Sequence, residues 1–94
     1  YEDERVFAFY DLEPQAPVHV LIIPKEHIAS VAEITEENSS IAAHIFEVAA
    51  RLAKELGLEG GFRLVANTGA DGGQTVQHLH VHLLGGRSMK WPPG

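Results

Sequence analysis

Apolar residues recur at three- and four-residue spacing between residues 41 and 56. This spacing predicts one apolar stripe along a helix of about 20 residues. Thr35 is a favourable N-cap for that helix, and Gly57 is suited to follow its last turn. Because an amphipathic helix must bury its stripe against another element, the flanking segments decide the fold. The stripe consists of Ile41, Ile45, Val48, Leu52 and Leu56.

Two strand-like segments precede this helix and two follow it. Residues 5–10 and 18–23 are rich in β-branched and aromatic residues, and residues 62–67 and 76–84 are predicted as two further strands. Short turns join the members of each pair, and the tail Trp91–Gly94 cannot form a helix or a central strand. The order predicts a single α+β domain over residues 1–94, with an antiparallel sheet and one long helix packed on it.

Composition narrows the classes of function. The net charge is −6, and residues 1–60 carry twelve acidic side chains against four Lys and Arg, which disfavours nucleic-acid binding. Residues 61–94 carry a net charge of +2, which suits a small anion. The chain has no cysteine for disulfides or for thiolate-bound zinc. No apolar run reaches the roughly 20 residues that cross a bilayer, and no secretory signal is recognised. We therefore expect a cytoplasmic protein with no membrane partner.

Three histidines alternate with apolar residues in the last strand-like segment, at His78, His80 and His82. Alternate side chains of a strand share a face, so this pattern predicts three imidazoles on one face and an apolar face toward the helix. Neighbouring imidazoles would lie about 6.6 Å apart along the strand.

Three interpretations of these histidines are open: an exposed histidine-rich strand, a metal site and a catalytic nucleophile. In a straight strand His78 and His82 lie about 13 Å apart, whereas two nitrogens on one zinc ion lie about 3.4 Å apart. One ion would therefore bind two of the three, with a third ligand from His19, His27, Asp11 or Asp71. As a nucleophile, a neutral imidazole attacks with one nitrogen while an acceptor holds the other N–H.

Residues 72–87, together with Met89 and the Trp91–Gly94 tail, resemble the signature of the histidine-triad (HIT) family, in particular its Hint branch of histidine-triad nucleotide-binding proteins. The likeness extends through Phe9–Leu12, Pro14–Pro17 and Ile23–Ile28. It implies a HIT-like fold whose sheet extends across a homodimer. It also implies hydrolysis of purine nucleoside 5′-phosphoramidates, such as AMP-NH₂ or AMP-lysine, at the α-phosphorus, with no required cofactor or metal.

The resemblance assigns catalytic roles to five residues. His80 would attack phosphorus to form a nucleotidyl-histidine, which water then cleaves. His82 would help to hold the tautomer of the nucleophile, and His78 and His19 would be its neighbours in a polar network. Thr75 would lie near the leaving group.

Nucleotide contacts follow from the same resemblance. Asp11 would accept hydrogen bonds from the ribose hydroxyls, and Phe9 and Leu12 would flank the base. The phosphate side would be formed by Asn67, Gly73, Gln74 and the catalytic residues Thr75, His80 and His82. Trp91 would reach the partner's site in the dimer. We assign structural roles to His27 and His44.

The sequence departs from the Hint pattern at two points. Hint proteins have a segment before the position of Tyr1 that forms part of the purine pocket, so purine selectivity stays open. Gln77 replaces an aromatic residue that often precedes the first triad histidine.

Two alternative functions stay open. One is a dinucleoside polyphosphate hydrolase of the Fhit-like branch, against which the C-terminal tail argues. The other is a nucleotide-binding scaffold with incidental hydrolysis.

Overall fold

The computed structural model describes all residues, Tyr1–Gly94, as a four-stranded antiparallel sheet with one α-helix across one face. The strand order in the sheet is β1-β2-β4-β3, so the last strand of the chain lies between the second and the third. This arrangement confirms the predicted α+β fold. The elements are β1 (Val6–Tyr10), β2 (Val18–Pro24), a short 3₁₀ helix (Val31–Glu33), α1 (Ser39–Glu55), β3 (Phe62–Val65) and β4 (Val81–Gly85).

The core lies between α1 and one face of the sheet. Four of the five predicted stripe residues are buried, with Ile45 and Val48 almost fully covered, whereas Leu56 follows the helix as its C-cap and is partly buried. Leu79, Val81 and Leu83 are buried with it, which confirms that these three side chains point toward the helix. Burial of one such side chain contributes about 1.5–3 kcal/mol. No helix of the structure is both long and apolar enough to cross a membrane.

The helix is shorter than predicted, because it begins at Ser39 and spans 17 residues. Asn38 closes a separate turn before it: its side-chain oxygen accepts a hydrogen bond from the Thr35 N–H at 2.7 Å, and its amide donates to the Glu33 carbonyl. Thr35 therefore belongs to this turn and is not the N-cap. At the other end the prediction holds, since Gly57 has a φ of 72° directly after the C-cap residue Leu56.

The last strand is also shorter than predicted, because β4 begins only at Val81. Residues 76–78 form a bend whose backbone is tied to other segments: the Val76 carbonyl accepts from the Gln74 side chain, and the Leu79 N–H donates to the Ile28 carbonyl at 2.6 Å. His78 and His80 therefore precede the strand, and the regular 6.6 Å spacing expected along it does not apply. Similarly, β3 ends at Val65 and leaves Asn67 in the following loop.

The N-terminal segment is attached to α1 through Asp3. Its carboxylate accepts hydrogen bonds from the Tyr1 hydroxyl at 2.7 Å, from His44 Nε2 at 2.6 Å, and from the backbone N–H groups of Arg5 and Val6 at 2.8 Å. These donors, led by Tyr1, hold the pKa of the Asp3 carboxyl well below its usual range. His44 thus links the N-terminal segment to the helix, in agreement with its expected structural role.

Candidate functional site

The sheet face opposite the helix carries one row of side chains from adjacent strands. Phe9 of β1 pairs with Leu21 of β2, and Leu21 pairs with His82 of β4. Cross-strand partners project from the same face of an antiparallel sheet. Phe9 is therefore not part of the helix-side core, and it remains 38% exposed beside the histidines.

A cavity of about 390 Å³ opens above this row, and we call it the histidine cavity. It brings the three triad imidazoles together with one carboxylate, one hydroxyl and four apolar side chains. This clustering agrees with the prediction that His78, His80 and His82 face one side, although only His82 lies in a strand. The lining residues are Phe9, Asp11, Leu21, Ile23, Thr75, Val76, His78, His80 and His82.

The backbone fixes the tautomer of His80. Its Nδ1 atom lies 2.7 Å from the carbonyl oxygen of His78. A carbonyl only accepts, so Nδ1 carries the proton, and in the neutral ring Nε2 keeps its lone pair. The acceptor is thus the backbone of His78 and not the side chain of His82, which differs from the predicted role of His82. His82 instead contacts His80 edge-on, with 5.2 Å between ring centroids.

A second chain of hydrogen bonds fixes the tautomer of His82. The Gln15 N–H donates to His19 Nδ1 at 3.0 Å, so a neutral His19 carries its proton on Nε2. His19 Nε2 lies 2.9 Å from His82 Nδ1 and donates to it, which leaves the proton of His82 on Nε2. Burial lowers the pKa of His82 below its usual value, and the neighbouring His80 and His19 lower it further, whereas Asp11 opposes them. His82 is therefore a neutral donor near pH 7.

Asp11 follows β1 and lines the histidine cavity with its carboxylate, where His19 Nε2 lies 3.5 Å from its Oδ2 atom. Ligand atoms of Asp11, His19 and His82 lie within 4.8 Å of one another, which is a donor set that a zinc ion can use. These are not the three triad histidines, so a single ion bound to all three is not favoured. In the neutral network the same nitrogens already share hydrogen bonds.

The glycine-rich loop between β3 and β4 is held by close backbone contacts. A Cβ atom on Gly72 would lie 2.3 Å from the Thr68 carbonyl oxygen, so only glycine fits there without a shift. The Gln74 side chain accepts from the Gly69 N–H at 3.0 Å and donates to the Ala29 carbonyl at 2.8 Å. Gln74 therefore supports the loop that presents Thr75 to the cavity.

Five predicted nucleotide contacts, Leu12, Asn67, Gly73, Gln74 and Trp91, do not line the histidine cavity. Leu12 is 98% exposed and Trp91 is 82% exposed. Asn67 lines a different cavity beside the C-terminal tail, where the Arg63 guanidinium donates to the Lys90 carbonyl at 2.9 Å. Within this chain these residues are separate from the triad, and their roles stay predictions.

The sequence indicates His27 only as an alternative metal ligand or a structural residue, yet its ring contacts His78. Its Nδ1 atom lies 3.2 Å from Nδ1 of His78, and the ring centroids are 5.2 Å apart. The two residues are 51 positions apart in the chain, so no local pattern could have paired them. The one sequence signal for such a contact is the number of histidines, six in 94 residues.

Comparison with known sequences and structures places these features in context. The sequence profile of the HIT domain matches residues 1–89. A HIT-like protein of Synechococcus elongatus is 53% identical over 94 residues, which is 100% of this chain and 82% of that protein. The 14 kDa zinc-binding protein of Zea mays is 52% identical over 96 residues, which is 100% of this chain and 75% of that protein.

A solved structure shows the same architecture. The crystal structure of a HIT family hydrolase from Legionella pneumophila superposes with a TM-score of 0.97 at 52% sequence identity. The match covers 100% of this chain and 85% of the Legionella chain.

Proposed function

The chain belongs to the HIT domain family, and on this premise we propose that it is a nucleotide-binding hydrolase that cleaves purine nucleoside 5′-phosphoramidates at the α-phosphorus. One observation carries the proposal: the Nδ1–H of His80 is held by the His78 carbonyl, which leaves Nε2 as the free nucleophilic nitrogen in the histidine cavity. Relatives named as hydrolases support the general activity.

In the first step, the Nε2 lone pair of His80 attacks phosphorus, and the bond from phosphorus to the leaving amine breaks. The imidazole gains positive charge as the nucleotidyl-histidine forms. The His78 carbonyl stabilises that charge, because it already accepts the Nδ1–H at 2.7 Å. The Nε2–H of His82 is available to donate to a phosphoryl oxygen as charge develops there.

The leaving amine needs a proton, and Thr75 is the hydroxyl that lines the cavity. Its O–H can hydrogen-bond the phosphate and pass a proton toward the departing nitrogen, with solvent restoring it. In the second step, water attacks phosphorus, its proton passes to solvent, and the bond to Nε2 breaks. The products are the free amine, the nucleoside monophosphate and a neutral His80.

Nucleotide recognition rests on the groups beside the triad. The Asp11 carboxylate offers two acceptor oxygens at one end of the cavity, which suits a pair of ribose hydroxyls. Phe9 offers a partly exposed aromatic surface for the base, and it stacks on Phe7 with ring centroids 5.3 Å apart. A purine has a larger ring surface than a pyrimidine, so more of it can pack against Phe9.

The proposed reaction requires no metal. The nitrogens of His19 and His82 that a cation would bind form the hydrogen bond that sets the His82 tautomer. A zinc ion bound to Asp11, His19 and His82 would therefore replace that bond and occupy the proposed ribose carboxylate. We expect chelator to leave activity unchanged and added zinc to inhibit. Loss of activity on chelation, restored by zinc, would contradict this.

We further propose that the chain acts as a homodimer. β3 lies at the edge of the sheet, where its free backbone groups are open to pairing. Beside it, α1 and the 3₁₀ helix border an entirely apolar groove of about 230 Å³. Val31 and Phe46 in this groove are 47% and 62% exposed, and a second copy of the chain would cover them.

The test is hydrolysis of an adenosine phosphoramidate by the wild-type chain and by His80→Ala. We expect the variant to lose at least about 1,000-fold in kcat while nucleotide binding changes little. Rapid quench of the wild type with labelled substrate into alkaline denaturant should trap a phosphorus–nitrogen adduct on His80, because such a bond is hydrolysed in acid and persists in base. Assay with Ap₃A and Ap₄A in parallel distinguishes the dinucleoside polyphosphate hydrolase reaction.

His44→Gln is the control, since His44 is a histidine outside the cavity, on α1, and the Gln amide can still donate to Asp3 from the place of ring Nε2. It should retain wild-type kcat. Substantial turnover by His80→Ala, or an adduct on another residue, would refute the nucleophile.

A further inference from the structure

We infer that His27 is a positioning residue of this site, acting through His78 on the nucleophile. The inference rests on the proposed function for its kinetic consequence. Its structural part, that His27 helps to set the tautomer of His80, is measurable without substrate. His27 is an exposed residue in the turn after β2, about 50 positions before the triad, and the resemblance assigns it no role at the site.

Both ring nitrogens of His78 are hydrogen-bonded to protein groups. Its Nε2 atom lies 2.9 Å from the Pro24 carbonyl, which only accepts, so Nε2 carries the proton. In the neutral ring, Nδ1 is then an acceptor, and His27 Nδ1 donates to it at 3.2 Å. With both nitrogens bonded to protein groups, His78 is held in place and does not serve as a proton donor or acceptor for substrate.

The peptide group that joins His78 and Leu79 is hydrogen-bonded on both sides. Its N–H donates to the Ile28 carbonyl at 2.6 Å, and its carbonyl accepts from His80 Nδ1 at 2.7 Å. The two groups point in opposite directions from one rigid, planar unit. The contact with Ile28 therefore aims the carbonyl at His80.

One short segment, residues 24–28, supplies the contacts that hold His78. Pro24 and His27 hold the ring of His78, and Ile28, the residue after His27, holds its peptide group. These contacts support a bend that lies outside the strand pairing, since β4 begins only at Val81. His27 supplies the one contact that comes from a side chain, so its removal leaves the backbone contacts of Pro24 and Ile28 in place and holds the carbonyl that orients His80 less firmly.

The experiment compares three substitutions at one position. The amide of Asn reaches the place of ring Nδ1, whereas the amide of Gln reaches the place of Nε2. We expect His27→Ala and His27→Gln to lower kcat about 10- to 100-fold with KM nearly unchanged, because misplacement of a reacting group by about 1 Å has effects of this size. His27→Asn should remain within about threefold of the wild type.

A spectroscopic measurement accompanies the kinetics. Nitrogen NMR of ¹⁵N-histidine-labelled protein reports which ring nitrogen carries the proton. His80 should be almost entirely Nδ1-protonated in the wild type and in His27→Asn, and a mixture of tautomers in His27→Ala. Glu26→Ala, at the adjacent exposed position, is the control and should match the wild type in both measurements.

Wild-type kcat and an unchanged His80 tautomer in His27→Ala would overturn the inference. Equal impairment of the Ala, Asn and Gln variants would also overturn it, because hydrogen bonding at the Nδ1 position would then not be the cause. If the wild-type chain fails to cleave phosphoramidates, the proposed function fails, and the NMR comparison still decides the role of His27.

Discussion

His19 Nε2 lies 2.9 Å from His82 Nδ1, and this contact joins a buried residue of β2 to a cavity-lining residue of β4. His19 is 4% exposed and does not line the histidine cavity. Its Nδ1 atom accepts a hydrogen bond from the Gln15 N–H, and its Nε2 atom donates to His82 Nδ1. The Gln15 N–H therefore sets the tautomer of His19, and His19 in turn sets the tautomer of His82.

His19→Asn should lower kcat more than His19→Gln. The Gln amide can still donate to His82 Nδ1, whereas the Asn amide reaches only the position that accepts the Gln15 N–H. We expect a decrease of about 10- to 100-fold for Asn, at or below the lower end of the roughly 10²- to 10⁴-fold effect of a positioned acid–base group, because His19 acts only through His82. Steady-state kinetics on an adenosine phosphoramidate measure it, and equal kcat values for the two variants would contradict the relay.

The pH dependence of stability should carry a contribution from His82. Its pKa in the folded chain is below the value near 6.5 that it has when unfolded, so the unfolded chain binds more protons between these two values. The contribution is therefore fully favourable above pH 6.5 and is lost as the pH falls through the folded pKa. Urea unfolding from pH 7 to pH 5 should show a shallower decline for His82→Asn, which keeps the acceptor for His19 and cannot be protonated. Parallel curves would refute the assignment.

Gly72→Ala should destabilise the chain and impair catalysis. Its Cβ atom would lie 2.3 Å from the Thr68 carbonyl oxygen and 2.8 Å from the Thr68 nitrogen, so the loop that carries Thr75 must shift. We expect about 1–3 kcal/mol lost from the free energy of unfolding. Gly60→Ala is the control, since no atom lies within 4 Å of its Cβ position, and it should stay within about 0.5 kcal/mol of the wild type. Both values come from chemical denaturation.

Phe46→Glu should weaken self-association. The side chain is 62% exposed in the single chain and borders the apolar groove, so a charge there opposes burial against a second copy. Light scattering coupled to gel filtration should give the mass of two chains for the wild type and a lower mass for the variant. Ala50→Glu adds the same charge at an exposed position of α1 outside the groove and should leave the mass unchanged. A wild-type mass for Phe46→Glu would place the interface elsewhere.

The sequence predicted the layers of this fold well, because each depends on local patterns. The helix stripe, the apolar alternation at Leu79, Val81 and Leu83, and the C-terminal signal at Gly57 all reappear in the structure. The start of the helix and of β4 were wrong by several residues, since side-chain bonds of Asn38 and Gln74 close turns that propensity alone does not reveal.

Phe9 illustrates a pattern with two interpretations. Taken by periodicity alone it belongs to the core, and by resemblance it belongs beside the base. The register of β1 with β2 excludes the first, because it sets Phe9 in the same row as Leu21 and His82, on the face opposite the helix. Contact with the base stays a prediction.

The sequence by itself determined that three imidazoles would gather opposite an apolar face, since alternation along the chain is a local property. Only the tertiary structure decided what each ring nitrogen does. The proton of His80 is set by the His78 carbonyl, and that of His82 by a path that begins at the Gln15 N–H. His27 reaches His78 across 51 residues. Tautomers depend on the direction of hydrogen bonds, and those directions exist only once distant segments are packed together.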